Sequence, residues 1–347
     1  MADGTDGPGV EEDVLERDAA AWDALVAADP AGSYLQTAAW ARANRDRGWR
    51  IVRVVARGTE GSIGAQILLH RAPPSPWSRG YAPRGPFAAT LDAATVAAFT
   101  RAARAAARRH RIGHLLIDPP WREGHPAAGW LATEGWRPAD ALLINRTRII
   151  DLATEESELW SGLRSSARWS VNKAGRSGFT VVEAGVDGLD DFGRMYIATA
   201  QRGGFSPAAY REIFHGFDAD GAARLLLARS PDGEPIATLM LITSAGRVVE
   251  LLGASTPEGL RGRANYLLKW EAIRTSRLRG HHSYDMWGVE GGRWAEFKAG
   301  FGGEEVAYIG PWELVTDPIG RAVWQTAQRV RSSAGRLRAR KWRRASG

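Results

Sequence analysis

The chain has 347 residues, 44% of them hydrophobic and 24% charged, with a net charge of +7 and no cysteine. That length and balance suit a soluble globular protein of two domains, and the missing cysteines exclude a disulfide frame, a thiolate nucleophile and a Cys-based metal site. The seven histidines lack H-E-x-x-H spacing, and no apolar run approaches the roughly 18 residues of a membrane span.

The acidic start, Met1 to Asp13, lacks the basic and apolar regions of a signal peptide, so a cytoplasmic location is expected. The positive excess favours a polyanionic partner: nucleic acid, anionic lipid or a phosphorylated substrate. Much of it lies between Arg329 and Arg344, which reads equally as a solvated basic arm.

In chain order, residues 1–10 read as irregular and Glu11 to Ala28 as a helix, followed by a short helix near Trp40. Ile51–Ala56 and Ile63–His70 are apolar runs joined by a glycine-bearing turn, the pattern of a β-hairpin. Pro73 to Pro86, dense in Pro and Gly, predicts a loop; Leu91–Arg111 predicts a helix and His114–Asp118 a buried strand. In the second half, Asp187–Arg202 and Ser206–Phe217 read as helices, the latter with Ser206-Pro207 as its starting signal. Leu225–Arg229 and Pro235–Thr243 form a second hairpin, and Val248–Ala254 is a strand.

The two hairpins align without a gap. Arg57, Gly61, Ala65 and Leu69 match Arg229, Gly233, Ala237 and Leu241 at an offset of 172, and Gly113-His114 with Asp118 matches Gly280-His281 with Asp285 at an offset of 167. Two matches in the same order point to a duplicated unit of hairpin, helix and strand. His114 and His281 then read as structural residues at the helix-to-strand junction of each copy.

Lysine usage marks one stretch. Of 46 Lys plus Arg only four are Lys: Lys173, Lys269, Lys298 and Lys341. Lys298 lies between aromatic residues in a loop bounded by Gly291-Gly292 and Gly302-Gly303, which suggests a site needing a compact ammonium and not a planar guanidinium. The alternative is a turn carrying a solvated Lys. Downstream of Val248–Ala254, Gly262-x-Ala264 resembles part of the acyl-CoA-binding turn of GNAT N-acyltransferases, Arg/Gln-x-x-Gly-x-Gly/Ala. The leading position is Gly259, which counts against ordinary acetyl-CoA use.

From about Tyr34 to Trp312 the chain resembles the Fem family of peptidoglycan aminoacyltransferases. The likeness rests on Leu35-Gln36-Thr37-x-x-Trp40, Pro83-Arg84-Gly85-Pro86, Ile117-Asp118-Pro119 and Arg168-x-x-x-Asn172-Lys173-Ala174. It continues through Tyr196-x-x-Thr199-x-x-Arg202-x-x-Phe205, Ala264-Asn265-Tyr266-Leu267-Leu268, Tyr284-Asp285-x-x-Gly288 and Phe297-Lys298-x-x-Phe301-Gly302. The family's basic residue four places after the first tryptophan is Asn44 here, with Arg42 and Arg45 beside it as substitutes.

The resemblance implies an α/β (α+β) fold of two tandem GNAT-like domains, 31–150 and 151–317. An acidic segment and helix, 1–30, would precede them and a basic helix or tail, 318–347, would follow. With no charged heptad run between Arg202 and Ala223, the helical coiled-coil arm of many relatives is expected to be absent. It further implies transfer of Gly, Ala or Ser from aminoacyl-tRNA to the amine of lipid II or a UDP-linked muropeptide precursor. The ester is already activated, so no cofactor, ATP or metal is called for; peripheral contact with an anionic membrane surface is left open.

By the same resemblance Lys298 is the electrostatic catalyst and Phe297 stacks on the terminal adenosine of the tRNA, unless that ring is a core aromatic. Arg202 would grip phosphate or carboxylate groups of the precursor, with Tyr196 and Arg84 as further substrate contacts. Asp118 would orient the acceptor amine, or simply form the turn before Pro119. Arg168 and Lys173 would face phosphates, or solvent. An acyl-CoA-dependent N-acyltransferase acting on another amine remains the alternative.

Overall fold

The computed structural model describes residues 18–58, 61–289 and 291–345, with side chains described up to Arg331. The first helix among the described residues, α1 (Ala19–Ala28), is capped by Asp18, whose carboxylate accepts from the amides of Ala20 and Ala21 at 2.8 and 3.2 Å; positions 11–17 of the predicted helix lie outside the described residues. It buries Trp22 and Val26 against Val55 and Phe87. Then follow α2 (Ala38–Arg45), β1 (Arg50–Arg57), β2 (Ser62–Arg71), β3 (Ser78–Pro83), β4 (Phe87–Ala88), α3 (Ala93–His110) and β5 (Ile112–Asp118). Asp92 caps α3, accepting from Thr95 N at 2.6 Å, and the face of Val96, Phe99, Ala103 and Ala107 is buried.

After α4 (Ala127–Thr133) and β6 (Arg137–Pro138) come β7 (Arg146–Asp151), α5 (Glu156–Gly162), α6 (Ser165–Arg176), β8 (Thr180–Glu183), α7 (Leu189–Gly203) and α8 (Tyr210–Asp218). The chain continues as β9 (Ala223–Arg229), β10 (Pro235–Ser244), β11 (Arg247–Ser255), α9 (Pro257–Gly262), α10 (Ala264–Leu278) and β12 (Ser283–Asp285). It closes with α11 (Arg293–Ala299), β13 (Glu304–Ala307), β14 (Trp312–Val315) and α12 (Pro318–Ala345). Only residues 204–209 lie between α7 and α8, so no helical arm is inserted there.

Two compact units result, Gly48–Leu142 with Ile309–Gly347 and the chain up to Ala41, and Leu143–Tyr308 with Arg42–Arg47. Each holds one seven-stranded sheet. The order is β1-β2-β3-β5-β14-β6 in the first, with β4 paired to β2, and β13-β7-β12-β11-β10-β9-β8 in the second. The repeat is visible in the pairing. β1/β2 and β9/β10 are antiparallel hairpins, while β3/β5 and β11/β12 are parallel pairs separated in sequence by α3 and α10.

Three sequence readings are corrected. The stretch 73–86 contains β3, a strand in the middle of the first sheet and not a loop throughout. α8 begins at Tyr210, because the Ala208 amide donates to the Tyr196 hydroxyl at 3.2 Å and is drawn away from a helical ladder. β14 pairs with β5 of the first sheet, whereas β7, directly after β6 in the chain, joins the second; each sheet therefore contains a strand that chain order alone would assign to the other.

His114 lies in β5, 3% exposed, with its ring 5.1 Å from that of Trp324. Burial lowers its pKa to about 4, against the opposing pull of Glu313. A depressed imidazole pKa contributes stability that is present above the unfolded value of about 6.5 and is lost as pH falls through the folded value, here up to roughly 3 kcal/mol. Denaturant melts between about pH 7 and pH 4 should show that loss, and His114→Leu should flatten it.

Candidate active site

The second sheet opens where the first stays closed. In the first, β3 and β5 remain paired from Ser78↔Ile112 to Pro83↔Asp118. In the second, β12 meets β11 only over Arg247–Val249. The cause is local: β11 gains a residue against β10, where Met240 faces Leu252 but Leu241 faces Glu250, leaving Leu251 as the bulge. Such a bulge bends its strand and ends pairing. From Glu250 onward β11 keeps β10 alone as its strand partner.

A polar cluster fills the opening. Both oxygens of the Glu250 carboxylate accept from Lys269 Nζ of α10 at 2.6 Å, and Oε2 also accepts from the Tyr284 hydroxyl of β12 at 2.9 Å. Lys269 is 2% exposed. Its ammonium lies 5.0 Å over the ring of Phe297 and 5.5 Å over that of Phe301. Asp285 accepts from the Thr147 hydroxyl and, at 2.7 Å, from the amide of Trp287. The next shell of sequence is the loop leading into α11.

Lys298 stands half-buried on α11, so the glycine-bounded stretch read as a loop is helical at its centre. Its Nζ donates to the carbonyls of Trp287 and Gly288, the latter at 2.6 Å. An ammonium has three donors, so one stays without a partner among the described residues. Burial lowers the Lys298 pKa, Glu250 pulls it back up, and Lys269 adds to the lowering. The glycines after it answer to the fold: a Cβ on Gly303, at φ +77°, would meet the Ile149 carbonyl oxygen of β7 at 2.6 Å.

The other sequence-singled residues fall in several places. Phe297 sits edge-on to Tyr266 at 4.8 Å and to Phe301 at 5.4 Å, on the rim of the second core. Arg202 Nη2 donates to the carbonyl of Ser255, the last residue of β11, at 2.7 Å, and so tethers the strand beyond its bulge. Tyr196 is buried among Phe192, Phe205 and Tyr210. Arg168 donates back to the carbonyls of Ser161 and Leu163, and Lys173 lies 5.3 Å over the exposed ring of Trp169. Arg42 pairs with Asp220, and Asn44 is buried.

Asp118 and Arg84 belong to the first unit, where they form a buried ion pair of 3.1 Å, with side chains 2% and 4% exposed. Burial raises the Asp118 pKa despite the attraction of Arg84. Asp118→Asn removes the carboxylate facing a buried guanidinium and is expected to destabilise the chain by about 3 kcal/mol or more. A thermal melt matching the parent would assign Asp118 a role other than holding Arg84.

Sequence reasoning missed Lys269, Glu250 and the Tyr284 hydroxyl as one cluster. The signal for Lys269 was available, since the scarcity of Lys that marks position 298 marks 269 equally.

Comparison with known proteins bears on the same two units. A profile of the FemAB family matches residues 18–128, and one of an acetyltransferase (GNAT) domain matches residues 161–299. The crystal structure of FemX superposes with a TM-score of 0.75 over 88% of this chain and 96% of that one, at 20% identity. The chain is thus similar to the FemAB family in its first unit and to GNAT domains in its second, and it shares the tandem GNAT-like fold of FemX.

Its curated relatives include the lipid II:glycine glycyltransferase of Staphylococcus aureus (strain MRSA252), 26% identical over 230 residues, 62% of this chain and 54% of that protein. The chain thus spans about half the length of the curated relatives it matches. A tandem GNAT protein from the clavulanic acid biosynthesis pathway shares the fold at a TM-score of 0.50 and 15% identity, over 78% of this chain and 84% of that one.

Proposed function

We propose that this chain transfers an amino acid from aminoacyl-tRNA to the amine of a peptidoglycan precursor stem peptide, lipid-linked or nucleotide-linked, on the inner side of the membrane. The observation that carries the reading is Lys298: a half-buried ammonium with one donor to spare, fixed by two carbonyls beside an opened sheet. Attack of an amine on the aminoacyl ester builds negative charge on the carbonyl oxygen. A preorganised cation that needs no rearrangement is suited to stabilise it, and collapse of that intermediate expels the tRNA hydroxyl. The similarity to lipid II:glycine glycyltransferases supports the acceptor class.

In this reading Arg202 acts through the end of β11, keeping the strand in its bent course. Phe297 and Phe301 cover the Lys269 ammonium with their rings. An acyl-CoA donor is disfavoured by packing as well as by sequence. A Cβ on Gly259 would lie 2.2 Å from the Ile236 carbonyl oxygen, so the Arg or Gln of an acyl-CoA turn has no room there. The test offers a muropeptide precursor with either charged tRNA or acetyl-CoA. Label reaching the precursor from tRNA, and lost on RNase treatment, supports the reading; label from acetyl-CoA alone overturns it.

A further inference from the structure

The distribution of charge singles out α12. Residues 318–347 contain eight Arg, one Lys and no acidic residue, +9 in all, so the remaining chain sums to −2. The attraction of this protein to polyanions therefore resides in one terminal helix and not in the body that carries Lys298.

The first part of α12 is firmly seated. The Asp317 carboxylate accepts from the Gly320 amide at 2.8 Å and from Trp77 Nε1 at 3.1 Å. Trp324 is 5% exposed; its indole donates to the His70 carbonyl at 3.0 Å, and Arg79 stacks 5.0 Å over its ring. The buried side of the helix thus follows Gly320 and Trp324. The exposed flank beside it is not uniformly polar, as that of an ordinary surface helix would be. Ile319, Val323, Thr326 and Val330 follow one another at helical spacing, and Ile319 and Val330 are 70% and 64% exposed. Arg329, exposed, lies beside them, and the helix continues through Ala345 with the greater part of its cations in its sequence.

An exposed apolar stripe has no counterpart on a sugar–phosphate backbone. An apolar stripe beside cations on one helix matches the two layers of a bilayer surface, acyl boundary and anionic headgroup. We infer that α12 lays its Ile319–Val323–Val330 face on an anionic lipid surface, the positive charge of the helix sequence supplying the attraction to the headgroups. The inference stands on α12 alone and does not require the proposed transfer reaction.

Flotation of the full chain with vesicles of phosphatidylglycerol and phosphatidylcholine, against phosphatidylcholine alone, tests it. Two variants complete the experiment: Ile319→Ser with Val323→Ser and Val330→Ser, and Arg336→Glu with Arg338→Glu and Arg340→Glu. The parent is expected to float with anionic vesicles and to remain behind with neutral ones, added salt is expected to weaken capture, and each variant should lose it at least tenfold. Circular dichroism and melting temperature establish that both variants fold. No capture of the parent, or capture unchanged in either variant, overturns the inference. So does a parent that ignores vesicles while the arginine variant loses tRNA binding, an outcome that assigns the helix to RNA.

Discussion

Lys298→Met is expected to lower aminoacyl transfer about 10²–10³-fold, the loss of about 2.7–4 kcal/mol that accompanies removal of one oxyanion donor. The variant should still fold. It leaves the Trp287 and Gly288 carbonyls without this donor, a cost of about 1–3 kcal/mol in stability for groups of that kind. The decisive comparison is turnover at saturating donor and acceptor, since a residue acting in the transition state lowers kcat and kcat/KM together. A variant with parental kcat would remove Lys298 from the chemistry.

Lys269→Met is expected to act on the fold first. The substitution preserves length and apolar bulk but deletes the ammonium bonded to both oxygens of Glu250 at 2.6 Å. Only the Tyr284 hydroxyl then remains from the present set of bonds to that carboxylate. Breaking a buried pair from one side costs about 3–5 kcal/mol, because a charge is left in a poor solvent. Adding Glu250→Gln should recover much of it, since the charge disappears with its partner. A denaturant midpoint for Lys269→Met equal to the parent would mean that the pair is not buried in solution.

The hairpins, the long helices and the doubled unit were legible because their signals are local: apolar runs broken by glycine turns, and a spacing repeated at nearly constant offset. β3 was not, since Ser78–Pro83 sits in a stretch whose Pro and Gly content reads as loop, and its strand character comes from β2 and β5 on either side. The placement of β14 was hidden for the same reason, because a partner nearly two hundred residues away, β5, decides it. In the site, scarcity of Lys pointed to Lys298, but nothing in the sequence tied Lys269 to Glu250. That link depends on the bulge at Leu251, which exists only in the paired sheet. Arg202 was read as a group for anions; what it holds in this structure is a strand end, a role that only coordinates could give.

The most direct measurement is the mass of a muropeptide precursor after incubation with the full chain and a panel of tRNAs charged with Gly, Ala or Ser. The account predicts a gain of one aminoacyl residue on the stem-peptide amine, from one or more of these donors and at a rate set by Lys298. A precursor that keeps its mass with every charged tRNA, yet gains an acetyl group when acetyl-CoA is supplied, would contradict it.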